Sequence, residues 1–163
     1  MSFRFSASRI LHEEHMASLV LLSEVENAAI GRQEPPAPGD AAAQNIVRRL
    51  MNALAGEVTH HFDFEEDALF PWLTQHGDGD LVELLEEEHV VLREVFRDVE
   101  TRAANGLKDG FSPQDWSAFR RLCGELVERL KSHIEKEERA LVPALENSLT
   151  PDADAEAAAR HIS

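Results

Sequence analysis

His61 and Glu65 stand four residues apart, and so do His133 and Glu137. On a helix that spacing lays each His over its Glu on successive turns, so each pair can converge on one point. The surrounding segments, HFDFEEDALFPWL at 61–73 and HIEKEERALVPAL at 133–145, agree at seven of thirteen positions, Pro71/Pro143 and Leu73/Leu145 among them. Two more histidines, His15 and His89, close the similar stretches LHEEH at 11–15 and LEEEH at 85–89. Imidazole and carboxylate without thiolate suit iron, manganese or zinc. Six such side chains are too many for one tetrahedral zinc and about right for two ions. Glu65 and Glu137 would bridge, with His15 and His61 on one ion and His89 and His133 on the other. Each ion would keep room for solvent, an oxo bridge or a small ligand, as a binding or redox site requires and a closed structural site does not.

Each piece alone has a plainer explanation. A single inward His is more often a satisfied core residue than a ligand, and one HxxxE pair on a helix is a weak pattern. Glu66, Glu138, Glu13, Glu14, Glu86 and Glu87 are most simply solvated faces, Cys123 a small buried apolar residue and Pro143 a kink. Two HxxxE pairs at matching places in a repeat, each preceded by an inward His, favour the metal. Burying Glu65 and Glu137 as ions costs at least several kcal/mol each, so they need partners. Arg93 and Arg129 are the organic candidates, but a dication answers two carboxylates and four imidazoles at once.

Four long helices place these residues. The first is expected over about Ser6 to Ile30, with Ser6 as N-cap and Gly31 as stop, before the proline-rich linker QEPPAPGD. The second, capped by Asp40, runs from Ala41 to about Phe70, is kinked at Pro71 and ends in the turn HGDGD at 76–80. Asp80 caps the third, which stops near Asn105 and Gly106. The fourth opens at Ser112 with Pro113 in its first turn and Asp115 three residues after the cap, and continues toward Leu145. Each carries an apolar stripe, on the fourth Trp116, Phe119, Cys123, Leu126, Leu130, His133, Glu137 and Leu141. His15 shares a face with Leu11 and Leu22, and His89 with Leu85 and Leu92. His89 follows His15 by 74 residues and His133 follows His61 by 72, so one helix pair is used twice. The expected fold is an all-α, antiparallel up-down-up-down four-helix bundle with a pseudo-twofold helix-pair repeat. Residues 1–148 form it, and 149–163 are a tail that frays or makes a short helix.

The 163 residues suffice for one core without disulfides, and the single Cys123 cannot make an internal one. Thirty-one acidic against sixteen basic residues give a net charge of −15, which repels a phosphate backbone or an anionic membrane. Nucleic acid and membrane are therefore not expected partners. No apolar run approaches the roughly 20 residues that cross a bilayer, and the start lacks a secretory leader, so a cytoplasmic location is expected.

With His15, His61, Glu65, His89, His133 and Glu137 in this pattern, the chain resembles the hemerythrin-like, or HHE cation-binding, family over about residues 8–147. The EExxLFP and EExxLxP continuations match it too. The resemblance implies two iron ions (Fe2+ or Fe3+, oxo- or hydroxo-bridged, with manganese or zinc as alternatives) that bind dioxygen, nitric oxide or peroxide. It also implies a departure: oxygen-carrying members have a further His one turn after the third-helix ligand, where this chain has Arg93. An arginine has no lone pair to offer. Glu57, four before His61, and His12, three before His15, share the right faces and could reach the metal; His60 points away. A binding or sensing module is expected rather than a dedicated enzyme. The alternatives are a small di-iron oxidoreductase acting on peroxide or nitric oxide, and an iron storage or delivery protein.

Overall fold

The computed structural model describes residues 2–163, apart from the side chain of Glu57. All regular structure among the described residues is helical. Helix α1 (Ser6–Val25) continues into a wide π turn at Glu26–Ile30. The second rod is α2 (Ala41–Asn52), a π turn at Ala53–Val58, α3 (Thr59–Phe64), a π turn at Glu65–Leu69 and α4 (Phe70–Gln75). The third rod is α5 (Gly79–Asp109). The fourth is α6 (Pro113–Lys136), a π turn at Glu137–Leu141 and α7 (Val142–Ser148), after which α8 (Pro151–Ile162) lies against the bundle. The four rods form an antiparallel bundle in which α1 packs on α2 and α6, and α5 on α2 and α6.

The local chemistry explains most of the boundaries. Ser112 Oγ accepts the Asp115 N–H at 3.0 Å, and Asp40 Oδ1 accepts the Ala43 N–H at 3.1 Å, so α6 and α2 are capped as their sequences predict. Three expectations are corrected. Ser6 is not the cap of α1; the Asp154 carboxylate reaches in from α8 to accept the Ser6 and Ala7 N–H groups at 3.0 and 2.8 Å. Asp80 does not cap α5, which begins at Gly79 after Asp78; Asp80 sits in the first turn, where its charge complements the helix dipole. That helix also runs past Gly106 to Asp109 and stops at Gly110, whose φ of 79° glycine adopts without strain. Gly106 serves a close approach instead: a Cβ there would lie 2.0 Å from the Phe111 ring.

The second rod passes through Pro71 and ends at Gln75, at the expected HGDGD turn. Proline has no N–H to give the carbonyl four residues back, and its ring crowds that carbonyl. The turn before it is accordingly widened, Phe70 N–H donating to the Glu65 carbonyl five residues back. The carbonyl of Asp67 takes a bond from Arg160 Nη1 at 3.2 Å. Val142 N–H bonds the Glu137 carbonyl in the same way ahead of Pro143. The tail is a helix, capped by Thr150 and buried at Ala157.

The interior has three layers. One apolar cluster is built around Leu22, Leu50, Leu54, Phe96, Phe119 and Leu126. A second is built around Leu11, Leu69, Phe70, Leu73, Leu85 and Leu141. Each fully buried Leu or Phe contributes about 1.5–3 kcal/mol. Between these named residues in sequence, on every rod, lies the level of His15, His61, His89 and His133, all buried.

Candidate metal centre

The HxxxE spacing does what helical geometry predicts, and the structure brings the six expected side chains into one layer. His61 Nε2 lies 3.2 Å from Glu65 Oε1, and His133 Nε2 lies 2.8 Å from Glu137 Oε1. The single histidines of the other two rods close the layer, with His15 Nε2 2.8 Å from Glu137 Oε2 and His89 Nε2 3.2 Å from Glu65 Oε2. Two groups result, His15, His61, Glu65 and Glu137, and Glu65, His89, His133 and Glu137; within each the candidate ligand atoms lie within 4.8 Å of one another. Both carboxylates belong to both groups. The widened turns of the second and fourth rods begin at Glu65 and Glu137 themselves, and such turns are frequent at functional sites.

A second ring of carboxylates holds the outer nitrogens. Glu14 lies 2.6 Å from His61 Nδ1, Glu66 2.7 Å from His89 Nδ1, Glu88 3.0 Å from His133 Nδ1 and Glu138 2.6 Å from His15 Nδ1. Each acid serves the histidine of a neighbouring rod, so the support runs once around the bundle. An ionised carboxylate only accepts, so each Nδ1 carries the proton and each Nε2 of a neutral ring is left with a lone pair. Those lone pairs face one another, at 3.1 Å for His15 and His61 and 3.1 Å for His89 and His133, and face carboxylate oxygens as well. Both oxygens of Glu65 and Oε1 of Glu137 have no hydrogen bond of good geometry, although both residues are fully buried. Acceptors gathered around acceptors need cations, and a carboxylate–histidine pair behind each donor is the arrangement that orients metal ligands. The residues present therefore fit a metal.

Protons are the other cation available to this layer. Burial pushes His89 down, but Glu137 and Glu65 beside it more than reverse this and raise it from 6.5 to about 9. His61 is held well above its ordinary value, burial being outweighed by Glu65, Glu137 and Glu14. Burial pushes Glu137 up, but His133 and then His15 and His61 hold it well below the usual carboxylate range. A metal ion would displace these protons.

The remaining expectations fall outside the inner layer. His12 Nδ1 lies 2.9 Å from Glu138 Oε2 and belongs to neither group. Arg93 donates to Asp63 at 3.0 Å and Glu66 at 3.3 Å, and lies over the Phe62 ring. The side chain of Glu57 lies outside the described residues. His60 turns outward to the His161 carbonyl at 2.9 Å. Arg129 pairs with Glu125, so it does not serve the buried carboxylates. Glu14, Glu66 and Glu138 are not simply solvated faces, and Glu88 joins them in holding an outer nitrogen. Their common signal is position: each adjoins an inner residue, as EH at 14–15 and 88–89 and as EE at 65–66 and 137–138. Cys123 is buried, and burial pushes its thiol up to about 12, which leaves it inert.

The bundle and its buried His/Glu layer define an all-α metal-binding protein. Residues 6–159 match the Hemerythrin HHE cation binding domain, and the chain belongs to that family. A comparison with curated proteins gave no match. None of the described helices is long and apolar enough to cross a membrane.

Proposed function

We propose that the protein holds two iron ions between Glu65 and Glu137 and uses them to bind or sense dioxygen or a related small oxidant such as nitric oxide or peroxide. The observation that carries this reading is the convergence of four Nε2 lone pairs and two shared carboxylates, with every Nδ1 already bonded to an acid. His15 and His61 would serve one ion, His89 and His133 the other, and both carboxylates would serve both. Iron supplies the redox chemistry with small oxidants that this ligand set cannot perform alone. The outer acids keep the imidazoles in the tautomer that presents Nε2 inward. The apolar clusters on either side keep bulk water away, and Phe62 stacks on the His89 ring at 3.8 Å between centroids. The six inner residues are at most 6% exposed, so a ligand that reaches them without rearrangement must be small. That enclosure favours a binding or sensing role over turnover of a bulky substrate. Arg93, turned to Asp63 and Glu66, adds no nitrogen ligand to the second ion.

Elemental analysis of protein made in iron-supplemented cells, with absorption spectra before and after reduction, tests the proposal. Two irons per chain and a visible band that responds reversibly to oxidant are expected. One colourless zinc, indifferent to oxidants, would refute it.

A further inference from the structure

We propose that the two halves of this centre are unequal, and that the first ion seats between His15 and His61 rather than between His89 and His133. The inference rests on the two-ion reading and adds an order of filling to it. The ligands give no reason for an order, since each half has two imidazoles and the same two carboxylates. The difference lies one layer further out. Glu138 and Glu14, which hold His15 and His61, have imidazoles as their other partners: His12 Nδ1 lies 2.9 Å from Glu138 Oε2, and His161 Nε2 lies 2.5 Å from Glu14 Oε1. Glu66 and Glu88, which hold His89 and His133, are paired with Arg93, at 3.3 Å, and with Lys136.

An imidazole can serve a carboxylate as a neutral N–H donor, whereas guanidinium and ammonium bring a full positive charge. A carboxylate that accepts the Nδ1 proton makes the opposite nitrogen a better donor to a metal. One already neutralised by a cation accepts that proton less strongly. The longest of the four outer contacts, 3.0 Å at His133 against 2.6–2.7 Å at the others, also falls in the second half. Arg93 and Lys136 also repel a dication directly, so both effects weaken the second half. These two residues act through Glu66 and Glu88 and touch no candidate ligand atom; they are positioning residues that set the order.

Metal-free protein given one molar equivalent of Mn2+ and crystallised should show a single anomalous peak beside His15 and His61. Calorimetry should show a second step about tenfold weaker than the first. Arg93→Gln with Lys136→Gln should strengthen the second step about threefold or more, leave the first unchanged and spread the first equivalent over both halves. The charge-keeping pair Arg93→Lys with Lys136→Arg should retain the native order. A first peak beside His89 and His133, equal occupancy of both halves, or a second step unmoved by the neutral pair would overturn the order and leave the two-ion reading standing. A protein that binds no Mn2+ at all would instead sink the two-ion reading. Should the neutral pair fail to fold, the one-equivalent peak in the unaltered protein still decides.

Discussion

Glu65 and its counterpart Glu137 belong to both ligand groups, so in the proposed two-ion centre both halves would depend on them. Glu65→Gln keeps the shape but replaces an anionic ligand with a neutral amide. Elemental analysis after loading should find fewer than one ion per chain, with the helical circular dichroism unchanged; two ions retained would remove Glu65 from the site. The outer acids have a subtler role. Glu66→Gln should weaken loading by about 10–100-fold in a metal titration, because it loosens the His89 ring without removing a ligand. Glu86→Gln, on an exposed face, should change nothing. The contrast shows how much of the site its sequence discloses. The inner six are legible because a carboxylate on an apolar stripe contradicts the stripe, and the contradiction occurs twice. Glu14, Glu66, Glu88 and Glu138 look like ordinary solvated acids, since each serves a histidine on another rod. Only the packing of rod against rod, which no local pattern states, brings them to their partners.

At the scale of elements, the stripes and turn residues make the four rods readable, and Asp40 and Ser112 cap as their types predict. What local pattern does not disclose is supplied from far along the chain. The cap of α1 comes from Asp154, whose bonds to Ser6 and Ala7 tie the two ends together. Nothing in the opening residues announces it. The wide turn before Pro71 is likewise completed by Arg160, so α8 is fastened at both its ends to the rods that carry His15 and His61. Asp154→Ala should cost about 1–2 kcal/mol in urea denaturation, the usual loss for a helix cap. It should also accelerate amide exchange at Ser6 and Ala7 specifically. A loss of stability without faster exchange at those two positions would mean that Asp154 acts by some route other than the cap.

At the scale of the whole molecule, charge, protons and metal are linked. A net charge of −15 draws dications toward the chain and repels itself, so bound cations relieve the fold as a whole. The metal-free layer meets part of that need with protons. His89, raised from 6.5 to about 9, contributes stability that is fully present below 6.5 and is lost as pH rises through 9. Glu137 is depressed instead, so its contribution is lost only at acid pH and does not change in this window. A metal ion needs Nε2 free of its proton, so its affinity rises as the metal-free protein weakens. The gap in Tm between Mn2+-saturated and metal-free protein should therefore widen from pH 6.5 to 9, because ligand-linked stabilisation grows with affinity at fixed free metal. Below pH 6.5 it should narrow, as the ion competes with a fully protonated layer. A gap that stayed constant, or shrank as pH rose, would mean that protons and metal do not contend for the same nitrogens. The buried imidazoles would then have to be satisfied by something other than the cation this bundle is built to hold.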